Sequence, residues 1–345
     1  MLLAVNFPSW LKPEIIPGLP LRWYGLMYIV AFGIAFLLYK RQVRERHFPM
    51  TEDQLSGLFI WGIVGLMLGA RIFYFLVYDT EEAIRAPWLI FWPFRNGRLV
   101  GFAGMSYHGG VIGTAIGVAL YSWRKKFDLR ELYDMFVASI PLGYTFGRLG
   151  NFINGELYGR ISTGPFAMIF PQGGIYPSDR YYNVILREAE QMGLDFVRGD
   201  IFYPPRHPSQ LYEALFEGIV LWAIIWLFRN RKPFKGFLVF LYVSGYGLIR
   251  FFIEYFREPD SELGYRIEFV RNNLPPALAH PLTSFSTGQI LCLIMIFGGI
   301  LWALIASRLP DREPVRVYPD LDEKHSEDKK TTERKQRRKL HSKLK

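Results

Sequence analysis

The sequence predicts an all-α polytopic membrane protein of seven transmembrane helices, N-terminus outside and C-terminus in the cytoplasm. A small α+β extracytoplasmic head is inserted between the fourth and fifth helices. Three observations carry this reading. Half of the 345 residues are hydrophobic and 17% are aromatic, which is high for a soluble domain. The apolar residues gather into runs close to the ~20 residues that cross a bilayer as a helix. Lysine and arginine cluster after alternate runs, as the positive-inside rule requires.

The first run, 22–39, is followed by Lys40, Arg41, Arg44 and Arg46, so its basic cluster lies on the wrong side for a cleaved signal peptide. The second run covers 55–78. The third, 104–123, is followed by Arg124, Lys125, Lys126 and Arg130. The fourth covers 132–148. The fifth, 211–228, is followed by Arg229, Arg231, Lys232 and Lys235, the sixth covers 236–256, and the seventh, 288–307, precedes a basic tail. The connections 79–103, 149–210 and 257–287 contain no lysine. Every connection therefore alternates, and count and orientation support each other. A seven-helix domain is expected over 1–307, with the head at 149–210 inserted in it and a disordered basic tail at 308–345.

Within the head, Phe166-Ala167-Met168-Ile169-Phe170 favours a strand and 179–193 a polar helix. No internal repeat is evident, which weakens a transporter built from related halves. The net charge of +10 comes mostly from the cytoplasmic connections and the tail. The tail holds nine Lys or Arg and one acid, Glu333, over 329–345, so it is expected to stay unfolded beside anionic inner-leaflet lipid and not to bind nucleic acid. The one cysteine, Cys292, excludes an internal disulfide and any cysteine-based metal site.

The functional signal lies in ionisable residues at the outer ends of the runs, where they are expensive unless they face a cavity or pocket. Fourteen residues from Gly147 to Arg160 hold two arginines, two asparagines, a glutamate and four glycines. Arg148 closes the fourth run. His108 opens the third, Arg206 to Glu213 opens the fifth, Arg71 lies in the second, and Arg250 and Glu254 lie in the sixth. Tyr246, Arg250 and Glu254 recur at i, i+4, i+8 and share a helix face, which suits a self-compensating Arg–Glu pair facing the bundle, an Arg250 that binds an anion while Glu254 orients it, or both together. Gly109, Gly113 and Gly117 form a small-xxx-small stripe for close helix packing. His207, in Arg-His-Pro-Ser-Gln, reads as part of a helix start. Arg160 belongs to the head. Glu213 pairs with an outer arginine, while Glu217 is deeper and less easily explained.

No HExxH and no Gly-x-Ser-x-Gly occurs. Arginines around an outer-leaflet cavity suit a phosphate gripped in a bidentate way. One histidine then remains to accept a proton, and displacement at a phospholipid head group fits these parts. An anion or lipid transporter is the rival. It needs polar lining through to the cytoplasmic side, where the runs are apolar except for Asp134. A structural scaffold has no use for clustered Arg, His and Asn at one depth.

The segments Trp23 to Tyr28, Gly69-Ala70-Arg71, Met105 to Gly110, Gly147 to Gly159, Arg206 to Glu213, Gly245 to Arg250, Glu254 to Asp260 and Gly288-Gln289-Ile290 appear in one order over about 24–290. Together they closely resemble the prolipoprotein diacylglyceryl transferase family of bacterial inner membranes. The chain departs from that pattern at Arg22, where a histidine is often found, at Ile60, where a tyrosine is expected, and in its longer tail.

The resemblance implies a multi-pass enzyme of the bacterial cell inner membrane, its active site facing the periplasmic leaflet. It would move the diacylglyceryl group of phosphatidylglycerol onto the thiol of a lipobox cysteine in a prolipoprotein signal peptide. A thioether forms and glycerol-1-phosphate leaves, with no metal or organic cofactor. A free thiol has a pKa of about 8.5, so a base is useful. His108 is the best-placed candidate, with a tyrosine or deprotonation by the arginine field as alternatives. Arg148 and Arg250 would stabilise the charge on the leaving phosphate. Asn151, Asn154 and Glu156 would hold the glycerol or position the arginines. Tyr24, Gly159, Arg206, Tyr246 and Glu254 complete the expected substrate-binding set.

Overall fold

The computed structural model describes residues 5–16, 18, 21–92, 94–95, 98–99, 104–258, 265–268 and 284–310. The tail beyond 310, and Pro259 and Asp260 of the motif set, lie outside the described residues.

The helices are α1 (Trp23–Glu45), α2 (Glu52–Val77), α3 (Thr80–Arg85), α4 (Tyr107–Lys125), α5 (Leu129–Val137), α6 (Ile140–Asn154), α7 (Tyr182–Gln191), α8 (Ser209–Glu213), α9 (Leu221–Phe228), α10 (Phe237–Ile253) and α11 (Thr287–Ala306). A π-helical turn, Ala214–Val220, joins α8 to α9. Short strands β1 (Val5–Asn6), β4 (Met168–Ile169) and β5 (Pro205–Arg206) form one sheet in the order β1-β4-β5. The first pair is parallel and the second antiparallel. Antiparallel pairs join β2 (Phe94–Arg95) to β3 (Arg98–Leu99) and β6 (Tyr265–Glu268) to β7 (Ser284–Ser286), and a short 3-10 turn spans Pro87–Ile90.

This is a mostly helical membrane protein. Four described helices are long and apolar enough to cross a bilayer: α1, α2, the continuous Ser209–Phe228 helix, and α11. The shorter α10 is also apolar. The fourth predicted run differs from expectation, because 132–148 is two helices. Pro141 has no N–H and its ring clashes with the carbonyl four residues earlier, so α5 stops at Val137. Ser139 turns its hydroxyl back onto the Met135 carbonyl at 2.8 Å. Helix α6 then runs past Arg148 to Asn154, where Gly155 takes the left-handed conformation (φ 68°) that ends it.

The described residues divide into two compact units: those up to 38 with those from 134 to 309, and those from 39 to 133 with Pro310. In the second unit α2 and α4 pack backbone to backbone. A Cβ on Gly113 would meet the Gly65 carbonyl oxygen at 2.0 Å, and one on Gly109 would meet that of Gly69 at 2.3 Å. The glycine stripe is thus a packing surface, and Gly69 is its counterpart on α2. Arg71 is also spent on structure. Its guanidinium donates to the carbonyls of Leu89, Ile90 and Gly104 at 2.6, 3.0 and 3.1 Å, holding the chain that leads into α4.

In the first unit, Gly143 and Gly150 let α6 approach α1, Gly150 lying against Tyr24 and Met27. Asp134 is fully buried and caps α10 from a distance. Its carboxylate accepts from the backbone N–H groups of Gly236, Leu238 and Val239 and from Lys232 Nζ, all within 3.2 Å. Ile161, Ile175, Tyr182, Ile185, Leu186, Ala189 and Phe202 form a small core around α7.

Candidate active site

The site is built on α6, on the helix that begins at Ser209, and on α10. Residues 149–154, which hydropathy assigns to the connection after the fourth run, continue α6 to its end at Asn154. This periodicity sets Tyr144, Arg148 and Asn151 on one face. Arg148 Nε lies 2.8 Å from Glu213 Oε2 and donates to the Tyr144 hydroxyl at 2.6 Å. Its guanidinium also stacks 4.8 Å above the Tyr144 ring. Arg148 Nη1 reaches Asn151 Oδ1 at 3.5 Å. Among the described residues, none accepts a hydrogen bond from its Nη2.

Arg250 faces the same carboxylates from α10. Its Nη1 lies 3.0 Å from Glu213 Oε1 and 3.5 Å from Glu217 Oε1, and its Nη2 lies 3.2 Å from Glu254 Oε2. Arg257 Nη1 approaches Glu213 Oε1 at 3.7 Å. Glu213 and Glu217 are both 1% exposed. The wider π turn carries Glu217. Gly218 makes room for it: Thr145 hydroxyl donates to the Ala214 carbonyl at 3.2 Å, and a Cβ on Gly218 would strike that hydroxyl at 2.0 Å. Tyr144 donates in turn to Glu217 Oε2. Tyr246 meets the Tyr144 ring edge-on at 6.2 Å.

Glu254 is fixed from α11. Ser286 donates its hydroxyl to Glu254 Oε1 at 3.1 Å while accepting from Gln289 N at 3.2 Å as the cap of α11. A Cβ on Gly288 would meet Glu254 Oε1 at 2.7 Å. Gly288 is therefore a contact surface for Glu254, and Gln289 closes the capping box with Ser286. Below Arg148, Glu156 Oε1 accepts from the side-chain amides of Asn151 at 3.0 Å and Asn154 at 3.2 Å. Gln210 donates to the Glu156 carbonyl at 2.6 Å.

The remaining residues singled out in the sequence make contacts of their own. Arg206 is bound to Glu258 at 2.6 Å, to the Gly159 carbonyl at 3.3 Å, and stacks on Tyr158. Burial pushes the Tyr158 phenol up. Gly159 is wedged between two segments of the chain: a Cβ there would lie 2.1 Å from the Phe256 carbonyl oxygen and 2.9 Å from His207 Cβ. Tyr24 hydrogen-bonds Tyr28 at 2.9 Å. Burial, with Arg160 nearby, pushes the His207 imidazole below its ordinary range, and its Nδ1 lies 3.3 Å from the Tyr212 hydroxyl. His108 belongs to the other unit, as the second residue of α4 beside the cap Ser106, which accepts from Gly109 N. Sequence reasoning missed Tyr144, whose signal was its i, i+4 spacing to Arg148, and Ser286, whose signal was the capping box.

Fold and site define a multi-pass membrane protein that gathers arginines and glutamates into a buried cluster between its helices. The chain belongs to the prolipoprotein diacylglyceryl transferase family, whose profile matches residues 13–305. It is 55% identical over 323 residues to the phosphatidylglycerol–prolipoprotein diacylglyceryl transferase of Treponema denticola, covering 88% of this chain and 95% of that protein. The Treponema pallidum enzyme of the same description is 46% identical over 332 residues, covering 91% and 99% of the two chains. That of Chlorobaculum tepidum is 42% identical over 301 residues, covering 86% and 90%.

Proposed function

We propose that the cluster centred on Glu213 grips the phosphate of phosphatidylglycerol during transfer of its diacylglyceryl group to a prolipoprotein. The enzyme is a phosphatidylglycerol–prolipoprotein diacylglyceryl transferase by family, and the reaction serves lipoprotein maturation. The lipobox cysteine thiolate attacks the glycerol carbon, a carbon–sulfur bond forms, and the carbon–oxygen bond to phosphate breaks. The electron pair goes to the leaving glycerol-1-phosphate. Arg148 and Arg250 stabilise that charge in a water-poor site, where each contact is worth more than in water. His108 accepts the thiol proton. Asn151, Asn154 and Glu156 hold the glycerol, with Tyr24, Tyr246, Glu254, Arg206 and Gly159 shaping the surrounding walls. The observation that carries this reading is the convergence of Arg148 and Arg250 on the two oxygens of Glu213.

In the bilayer the chain crosses seven times, N-out and C-in, with the site in the periplasmic leaflet of the bacterial inner membrane. The alternation of basic clusters supports this orientation. The 149–210 segment forms the outer head, and the basic tail lies against anionic lipid. The polar residue that a transport path would have used on the cytoplasmic side, Asp134, is occupied in capping α10.

Incubating the purified protein with phosphatidylglycerol and a lipobox peptide tests the reading. Glycerol-1-phosphate release that requires the peptide's cysteine is expected. Folded protein that releases none overturns it.

A further inference from the structure

The arginines proposed to bind phosphate are already matched by acids. Three cations, Arg148, Arg250 and Arg257, meet three carboxylates, Glu213, Glu217 and Glu254, by direct contact. If all six are ionised the cluster is neutral before any ligand arrives. A phosphodiester would add a negative charge to a buried site beside three carboxylates, which the low local dielectric penalises. Among the described residues this cluster holds no cation beyond the three that its own carboxylates match.

The three carboxylates are not equally supported. Glu213 is in contact with all three arginines. Glu254 contacts Arg250 and accepts the Ser286 hydroxyl at the N-terminus of α11, where the helix dipole favours an anion. Among the described residues Glu217 has a single arginine contact, at 3.5 Å, and the Tyr144 hydroxyl. The groups facing it are Tyr144 and Arg148 from α6, Glu213 from its own helix, Arg250 from α10 and Cys292 from α11, with Tyr246 against Tyr144 and Glu254 across Arg250.

We propose that, in the transferase reaction on which this inference rests, the phosphatidylglycerol head group enters together with one proton, which settles on Glu217. The proton comes from bulk water. Neutral Glu217 then donates its O–H to the Tyr144 oxygen in place of accepting from it. The hydrogen of Tyr144 is released to turn toward the phosphate, while Arg148 Nε still donates to the same oxygen. One protonation thus cancels a negative charge and supplies a phosphate donor. Glu217 acts through Tyr144 and is a positioning residue.

The test uses the full-length protein in phosphatidylcholine nanodiscs, with phosphatidylglycerol titrated in without peptide between pH 6 and 9. Uptake of one proton should weaken phosphatidylglycerol binding by about tenfold per pH unit above the transition. Glu217→Gln, which mimics the neutral acid, should bind with that slope removed. Mixing wild-type protein with phosphatidylglycerol in weak buffer containing a pH-indicator dye should report about one proton taken up per lipid bound. This measurement stands even if the variant misfolds. Selective phosphatidylglycerol binding without proton uptake, or with the same slope in Glu217→Gln, overturns the coupling and leaves the transferase reading intact. No preference for phosphatidylglycerol over phosphatidylcholine at any pH overturns both.

Discussion

Arg148 and Arg250 are held by opposite oxygens of one carboxylate: Glu213 Oε2 is 2.8 Å from Arg148 Nε, and Oε1 is 3.0 Å from Arg250 Nη1. The spacing between two guanidinium groups on different helices is therefore set by one buried side chain. The arginines act as a unit whose geometry depends on planar forks.

Lysine at either position keeps the charge and loses the fork. Arg250→Lys and Arg148→Lys should each lower glycerol-1-phosphate release by about 100-fold or more, the scale of losing one preorganised donor to a developing anion. Near-normal turnover in either variant would show that charge alone suffices.

His108→Gln keeps a polar side chain at the start of α4 and removes the titratable group. Transfer to a lipobox peptide should fall by about 10²- to 10⁴-fold, the usual contribution of a general base. Part of that loss should be recovered at higher pH, where more substrate thiol ionises without help. A variant with full activity at pH 7 would remove His108 from the role.

The α2–α4 seam has no room for side chains, since a Cβ on Gly113 would lie 2.0 Å from the Gly65 carbonyl oxygen. Gly113→Val should destabilise the protein by about 1–3 kcal/mol through overpacking. Thermal unfolding in detergent measures it. Gly147→Ala is the control, because nothing lies within 4 Å of a Cβ there.

Asp134→Ala removes the acceptor for three backbone N–H groups at the start of α10, and should cost about 1–2 kcal/mol. Asp134→Asn keeps an acceptor and should cost less. Equal stability of the two variants in denaturant titration would argue against the cap.

His207 gives a pH dependence whose sign is fixed. Burial and Arg160 hold its folded pKa below the ordinary 6.5. Between those two values the unfolded chain binds more proton, so stability is present above pH 6.5 and is lost as pH falls toward the folded value. Melting temperature should therefore drop on acidification below about pH 6.5, and His207→Phe should flatten that limb. An unchanged limb in the variant would assign it to other groups.

Much of this was legible in the residues. The Tyr246, Arg250, Glu254 stripe is a helix face and behaves as one, and the stripe Gly109, Gly113, Gly117 is a close packing surface. What was not legible depended on backbone detail or distant partners. The connection after the fourth run is expected to begin at residue 149, yet 149–154 continue α6 and Gly150 is a helical contact with Tyr24. Pro141 splits a run that hydropathy alone makes continuous. The purpose of Glu217 is invisible until the π turn and Tyr144 are placed beside it. Asp134 looked like a stray charge because its partners are about a hundred residues away.

Cys292, the one cysteine of the chain, is buried on α11, where its carbonyl is against Gly247 of α10. An enzyme that alkylates sulfhydryls thus keeps its own out of reach of its chemistry. The bench benefits as well. Maleimide reagents added to a folded reaction mixture should label the peptide's cysteine against a silent protein background, so loss of label tracks turnover in real time. Single reporter thiols can likewise be introduced around the site without first constructing a cysteine-free parent.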